Sequence, residues 1–313
     1  MNVEVTSVQV VEKIQRLMME KNAVLLAHYY QEPEIQDIAD FVGDSLQLAN
    51  EAAKTEADII VFAGVHFMGE TAKIINPSKK VLVPDMGASC SLAESCPADK
   101  FEEFVNQHPD HVVVTYINAS AAVKTLSDIV CTSSNAVKVI NSIPEDKPII
   151  FAPDKNLGAY LMKETERDML IWDGACVVHE AFALDKILNL HSEYPEAEFI
   201  AHPESEKPIL DIASYIGSTA GMIKYAEQSS SDEFIVATEA GILHEMSKKM
   251  PNKHLIPAPS KEDNTCACSE CHFMKMNTLE KIALCLEYET NEILIDAETR
   301  EKALVPIQRM MAL

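Results

Sequence analysis

The chain lacks any apolar run near the roughly eighteen residues that a membrane-spanning helix needs. Its first residues, MNVEVTSVQVVEKIQRLMMEKN, carry charges throughout and have no apolar core of signal-peptide length. A soluble, cytoplasmic protein without a membrane partner is expected. Basic residues are also scarce: 26 Lys and Arg stand against 49 Asp and Glu, a formal net charge of −23. Nucleic acid and anionic membranes need a basic footprint, so the balance argues against both. An anionic substrate would have to be met by locally arranged donors. No stretch has the spacing of a Walker loop or a dinucleotide fingerprint, which leaves ATP and NAD unsupported as ligands. HEAF, residues 179–182, has no second histidine at the fourth position onward and is not a zinc-protease helix.

What the chain does have is an internal repeat. AHYYQEPEIQDIADFVGDSLQLANEA (27–52) lies without a gap over AHPESEKPILDIASYIGSTAGMIKYA (201–226), at a constant offset of 174. His28 falls on His202, Gly43 on Gly217 and Ser45 on Thr219. Residues 59–77 and 234–251 each read as a β-branched run followed by a helical pattern, and 128–144 reads as a third copy. Each copy is followed by a short apolar run with proline, so that Phe62 to Pro84, Cys131 to Pro153 and Ala237 to Pro259 are all 22 residues apart. VVVTYINAS (112–120) supplies the middle first strand, and the middle copy then lacks most of the helical insert after it. Short buried strands alternating with helices predict parallel sheets covered on both faces. The expected architecture is α/β: three three-layer α/β/α units with short parallel sheets, in a pseudo-threefold arrangement around a central active site beyond the strands' carboxyl ends. Their bounds are 1–108, 109–194 and 195–313, the last carrying a C-terminal helix.

Each unit offers polar residues just past its first strand: His28 and Tyr30, Tyr116 and Asn118, His202 and Glu204. One alone would read as a strand cap or a satisfied core histidine. Six at equivalent positions point to a site. VGDS and IGST place Gly43 and Gly217 at a left-handed helix C′ position, with Asp44/Ser45 or Ser218/Thr219 capping the next helix. CTSSNA (131–136) does similar work in the middle unit. Helix N-termini with Ser45, Ser133 and Thr219 would suit a substrate carrying several anionic groups.

The chain has eight cysteines, and it is far larger than the scaffolds that depend on disulfides, so metal or redox chemistry is expected of them. One follows the predicted third strand of each unit: Cys90, Cys176, and one of Cys266, Cys268 or Cys271, with Cys96 competing for the role of Cys90. A Cys₄ zinc site would show two paired knuckles, whereas CACSEC (266–271) is a single cluster without the ferredoxin spacing. One thiolate from each unit would leave a metal centre with an open position. Spacing separates iron–sulfur from zinc only slightly. Cys131 and Cys285 are expected in the core.

The motifs LLAHYYQEPEIQDIADFVGDSLQLA, VPDMGASCSLAE, CTSSNA, WDGACVVHEAF, AHPE and CSECHFMKMNTLEKI, in this order from about residue 24 to 285, closely resemble the quinolinate synthase family. The resemblance implies a pseudo-threefold array of three α/β/α units. It implies a transferase-type condensation of iminoaspartate with dihydroxyacetone phosphate, giving quinolinate, phosphate and two waters in NAD biosynthesis. It further implies a 4Fe–4S cluster on Cys90, Cys176 and Cys271, whose open iron acts as a Lewis acid in dehydration, with no ligand role for Cys96, Cys266 or Cys268. The implied pocket residues are His28, Tyr30, Ser45, Tyr116, Asn118, Ser133, His202, Glu204 and Thr219, with Tyr30, Tyr116, His202 and Glu204 as candidates for proton transfer. CHFM departs from the proline that many members carry after the cysteine. The implied partners are the two small substrates and, transiently, an aspartate-oxidising enzyme. Two other readings fit parts of the pattern. One is an iron–sulfur hydro-lyase of another small acid. The other is a metal or redox sensor built on CACSEC, which would leave the paired histidines and hydroxyls unused.

Overall fold

The computed structural model describes residues 7–261 and 269–313; Cys266 and Cys268 lie outside the described residues. Runs such as IIVFA and IIFA are apolar without alternation, the composition of strands buried on both faces. Among the described residues twelve strands, the inner ones of this kind, form three four-stranded sheets, parallel throughout. The first sheet contains β1 (Ala23–His28), β2 (Phe41–Gly43), β3 (Ile59–Ala63) and β4 (Lys80–Leu82), in the order β2-β1-β3-β4. The second contains β5 (Val112–Tyr116), β6 (Ile129–Cys131), β7 (Ile149–Ala152) and β8 (Met169–Ile171), ordered β6-β5-β7-β8. The third contains β9 (Glu198–Ala201), β10 (Tyr215–Ile216), β11 (Glu233–Ala237) and β12 (His254–Pro257), ordered β10-β9-β11-β12. Helices alternate with the strands along the chain, so the fold is α/β with three repeated units. In each sheet the chain steps outward from the first strand to one edge, then returns to the other side of that strand. The topological switch point, where open α/β sheets place their ligands, therefore lies between the first and third strands.

The register of the middle copy differs from the sequence expectation. Residues 128–144 contain β6, an edge strand paired with β5, and are the counterpart of β2 and β10 rather than of β3 and β11. The counterpart of β3 is β7, and β8 closes the sheet. The middle unit does not lack its insert: the short helix Ala121–Lys124 stands where Pro33–Ile38 and Lys207–Leu210 stand in its siblings. Separations of 22 residues recur because the step from the second strand to the third and that from the third to the fourth are of similar length, so the spacing does not tell one from the other. The cysteines also move, since Cys90, Cys176 and Cys271 follow the fourth strand of their sheets, not the third.

The glycine expectation is corrected as well. No glycine has positive φ among the described residues, so Gly43 and Gly217 are not left-handed caps. They are glycine because of close approach. A Cβ on Gly217 would meet the Tyr215 hydroxyl at 2.5 Å, and one on Gly43 would meet Phe41 and Gln47 at 2.9 Å. Capping falls on the next residues. Asp44 forms a reciprocal capping box with Gln47, and Ser218 accepts from Gly221, leaving Ser45 and Thr219 as first helical residues.

The chain forms two compact units. One runs to Cys90 and takes in His272–Glu301; the other comprises Ser91–Cys271 and Lys302–Leu313. In the first, helices Ser7–Glu20 and Leu279–Tyr288 pack together, and Ile14, Leu25, Val61, Ile282 and Leu286 share one core. The second unit holds the second and third sheets. Phe101, Val113 and Ile150 fill one core, where Trp172 meets Phe101 edge to face at 5.7 Å. Phe182, Phe199, Ile209 and Ile235 fill another. Each fully buried side chain of this size contributes about 1.5–3 kcal/mol by leaving water. Among the described residues no helix is long and apolar enough to cross a membrane.

At the end of helix Leu279–Tyr288, Glu289 takes a left-handed conformation (φ 51°) and its carboxylate receives Lys21 Nζ and Lys80 Nζ, each at 2.5 Å. The hydrogen bonds from these two ammonium groups hold its carboxyl down to about 2. A depressed carboxyl stabilises above its ordinary value of 4.5, and that contribution fades as the pH falls toward 2. Glu289→Gln should cost at most about 1 kcal/mol at pH 7, as the site is partly solvated. In urea unfolding the gap between variant and parent should close between pH 4.5 and 2. A gap independent of pH would refute this account of the clamp.

Candidate active site

A histidine or tyrosine stands at or just past the end of each first strand, and the two histidines are held by the residues that follow them. His202 follows β9, and its Nδ1 accepts the Glu204 N–H at 3.4 Å. His28 ends β1 and does the same, accepting the Tyr30 N–H at 3.2 Å, with the two rings 4.4 Å apart. An Nδ1 that accepts a backbone N–H assigns the proton to Nε2. His202 Nε2 then lies 3.2 Å from Ser133 Oγ, with the hydroxyl in position to accept.

Within the second unit, the ends of the second and third sheets meet on one carboxylate. Glu204 is 3% exposed, and its Oε1 accepts the Tyr116 hydroxyl at 2.5 Å. Its Oε2 lies 2.9 Å from His179 Nδ1, on a side chain 2% exposed. His179 stacks on His202 with ring centres 4.7 Å apart, and its Nε2 lies 2.9 Å from Thr238 Oγ1. Burial pushes the Glu204 carboxyl up. The His179 imidazole beside it, with the hydrogen bonds from His179 and Tyr116, outweighs burial and holds the group below the ordinary carboxylate range. Glu204 is therefore a buried, ionised hydrogen-bond acceptor. Asp154, after β7, is the reverse case: burial and then the charge of Glu204 push its carboxyl well up. Asp154 Oδ1 caps the helix Lys155–Thr165 at Leu157 N, and Oδ2 is buried without a hydrogen-bond partner.

The hydroxyl loops come next. Ser133 stands in the turn before helix Ala136–Asn141, not on its first turn, and the Asn135 side chain receives the Thr132 N–H at 2.8 Å. Ser134 donates to Ser218 Oγ at 2.8 Å, which ties the hydroxyl loop of the second sheet to that of the third. Thr219 is buried beside it, and the buried Asn118 amide oxygen has no partner. In the first unit, Ser45 opens its helix after β2, and Cys90 is half-buried.

Cys176 and Cys271 belong to the second unit and are half-buried. Cys176 Sγ lies 3.1 Å from His179 Nδ1. The preceding Gly174 bridges to Asp154, and a Cβ there would meet the Pro153 carbonyl at 2.4 Å, which accounts for the glycine in WDGAC. Ser91 accepts the Val177 N–H at 3.2 Å and lies 3.4 Å from the Ala175 carbonyl, holding both flanks of Cys176. Cys96, Cys131 and Cys285 are instead buried in apolar surroundings. Burial pushes the Cys96 and Cys285 thiols up to about 12 and raises Cys131 as well. The set Cys176, His179 and Glu204 has the proximity of a metal site. Yet one atom, His179 Nδ1, faces both partners, as in a hydrogen-bonded trio.

Sequence reasoning missed His179, Asp154, Thr238 and Glu239. HEAF was weighed only as a protease helix. The other three follow β7 and β11, the third strands of their sheets, and the switch point between first and third strands would have found them.

The family described as Quinolinate synthetase A protein matches residues 12–312. A quinolinate synthase of Gloeothece citriformis is 59% identical over 298 residues, 95% of this chain and 92% of its own. That of Trichormus variabilis is 60% identical over 298 residues, covering 95% and 91%. That of Chloroherpeton thalassium is 57% identical over 302 residues, covering 96% and 94%. Matched along nearly its full length by the family and by relatives of this identity, the chain belongs to the quinolinate synthase family.

Proposed function

We propose that the chain makes quinolinate by a transferase-type condensation of iminoaspartate with dihydroxyacetone phosphate, releasing phosphate and two waters, as a step of NAD biosynthesis in the cytoplasm. Family membership supports the reaction. The observation that carries the assignment of roles is the buried Tyr116–Glu204–His179 chain at the strand ends. Glu204, already ionised, takes a proton, and Tyr116, which donates to it, returns one; His202 and Tyr30 are the other candidates for proton transfer. The hydroxyls of Ser45, Ser133 and Thr219 hold phosphate first and product carboxylates later. The orphaned Asn118 oxygen would accept a substrate donor, and His28 is a further candidate for substrate contact. Iminoaspartate is unstable in water, so a transient link to an aspartate-oxidising enzyme belongs to the same reading.

A 4Fe–4S cluster on Cys90, Cys176 and Cys271 completes the proposal. The donor set suits it: these three thiols are half-buried, whereas Cys96, Cys131 and Cys285 are buried thiols disfavoured as thiolates. When bound, the cluster supplies a Lewis-acidic iron with an open position for the loss of a hydroxyl.

Anaerobic turnover of the two substrates, assayed for quinolinate, tests the reaction directly. Glu204→Gln should lower kcat by about 10²- to 10⁴-fold while keeping parental iron content. Cluster-loaded parent protein that makes no quinolinate would overturn the reading in favour of a hydro-lyase of another acid. The ligand assignment predicts that iodoacetamide labels Cys90, Cys176 and Cys271 of cluster-free protein well before Cys96, Cys131 and Cys285, and that cluster loading protects those three. Peptide mass spectrometry reads the order, and labelling unaffected by the cluster would refute it.

A further inference from the structure

β11 ends at Ala237, and the next two residues each reach one of the thiol-bearing loops of the second unit. Thr238 Oγ1 lies 2.9 Å from His179 Nε2, and the other face of that imidazole lies 3.1 Å from Cys176 Sγ. Glu239 is fully buried. Its Oε2 accepts the Gly241 N–H at 2.7 Å, and its Oε1 accepts the Cys271 N–H at 3.2 Å. Between them the Ala240 N–H donates to the Ser269 carbonyl at 3.0 Å. Ser269 Oγ in turn donates to the Ala258 carbonyl at 2.8 Å. Residues 269–271 are thus laced to the tip of β11 by consecutive residues.

A carboxylate is among the costliest groups to bury, and it is tolerated where donors meet both oxygens. Nothing in the proton transfers proposed above uses Glu239. We infer that Glu239 is a positioning residue for the cluster: it grips the backbone of Cys271 and thereby sets the Sγ for metal ligation. This deepens the cluster reading of the preceding subsection and rests on it. The geometry requires acceptors on both oxygens. A glutamine of the same size would turn one of them into an –NH₂ facing an N–H, donor against donor.

The test uses anaerobically reconstituted full-length protein and measures iron and sulfide per chain, the electron paramagnetic resonance of the reduced cluster, and the rate of iron loss to a chelator. Glu239→Gln should lose iron about 10- to 100-fold faster than the parent, the range typical of residues that orient a metal ligand. Its resonance should shift, and iron loss is compared at a temperature where the cluster-free variant and parent are both fully folded. Ser269→Ala cuts a bond in the same loop but leaves the Cys271 N–H paired, and should release iron at the parental rate. Should Glu239→Gln not fold, Glu239→Asp is read the same way, since it keeps the charge but shortens the reach by one methylene. A parent that holds no iron–sulfur cluster overturns the cluster reading, and the inference with it. A parent that holds the cluster while the Glu239 variant releases iron at the parental rate overturns the inference alone.

Discussion

A carboxylate 3% exposed to solvent stays ionised only if its neighbours supply what water would have supplied. Glu204 gets this from the Tyr116 hydroxyl on one oxygen and His179 Nδ1 on the other, with His202 close by. These partners come from three places in the chain: the end of β5, the loop after β8, and the residues after β9. The interaction therefore joins the second sheet to the third, as well as keeping a buried carboxylate ionised. Removing one partner from a buried pair of this kind typically costs about 3–5 kcal/mol, because the remaining charge is stranded. The site and the packing of the unit around it cannot be separated.

The same charge explains the neighbouring carboxyl. Asp154 is buried near Glu204, and burial together with that negative charge pushes it toward its neutral form. Two carboxyls in one region are thus driven apart, one held below and one well above the ordinary carboxylate range, and only the first has donors on both oxygens. Asp154 has a backbone donor on Oδ1 and no hydrogen bond on Oδ2.

The sequence made the first strands legible because their repeat is ungapped: His28 and His202, with Tyr30 and Glu204 two residues on, occupy matching positions and make the matching Nδ1 contact. The number and class of the units were readable from the same repeat. The third strands were not. Their middle copy was placed on β6, because every strand in this fold is a short apolar run followed by a helix and the local pattern does not tell an edge strand from an inner one. Asp154 is lost with that slip, whereas Thr238 and Glu239, just past a correctly matched third strand, lie outside the first-strand ends from which the site is read. Gly43 and Gly217 were assigned to backbone conformation when side-chain crowding, by Phe41 and Gln47 in one case and Tyr215 in the other, is what excludes a Cβ.

The position of the thiols follows from topology. A loop after the fourth, outermost strand has no further strand to enter its sheet, so its length is free: Cys90 lies eight residues past Leu82, Cys176 five past Ile171 and Cys271 fourteen past Pro257. Freedom of that kind is a liability for a residue that must hold a fixed position, and each loop carries a restraint tied to an acidic residue. In the first unit, Asp85 accepts the Gly87 N–H at 2.7 Å and pairs with Lys281 at 2.5 Å. In the second unit, the backbone of Gly174 bridges to Asp154, and the Cys271 N–H rests on Glu239. The Cys176 loop is held by this backbone bridge and by the Ser91 hydroxyl, and the Cys271 loop by a fully buried carboxylate. Both acidic anchors of the second unit, Asp154 and Glu239, are fully buried, so each fixes its loop from inside the protein rather than from its surface.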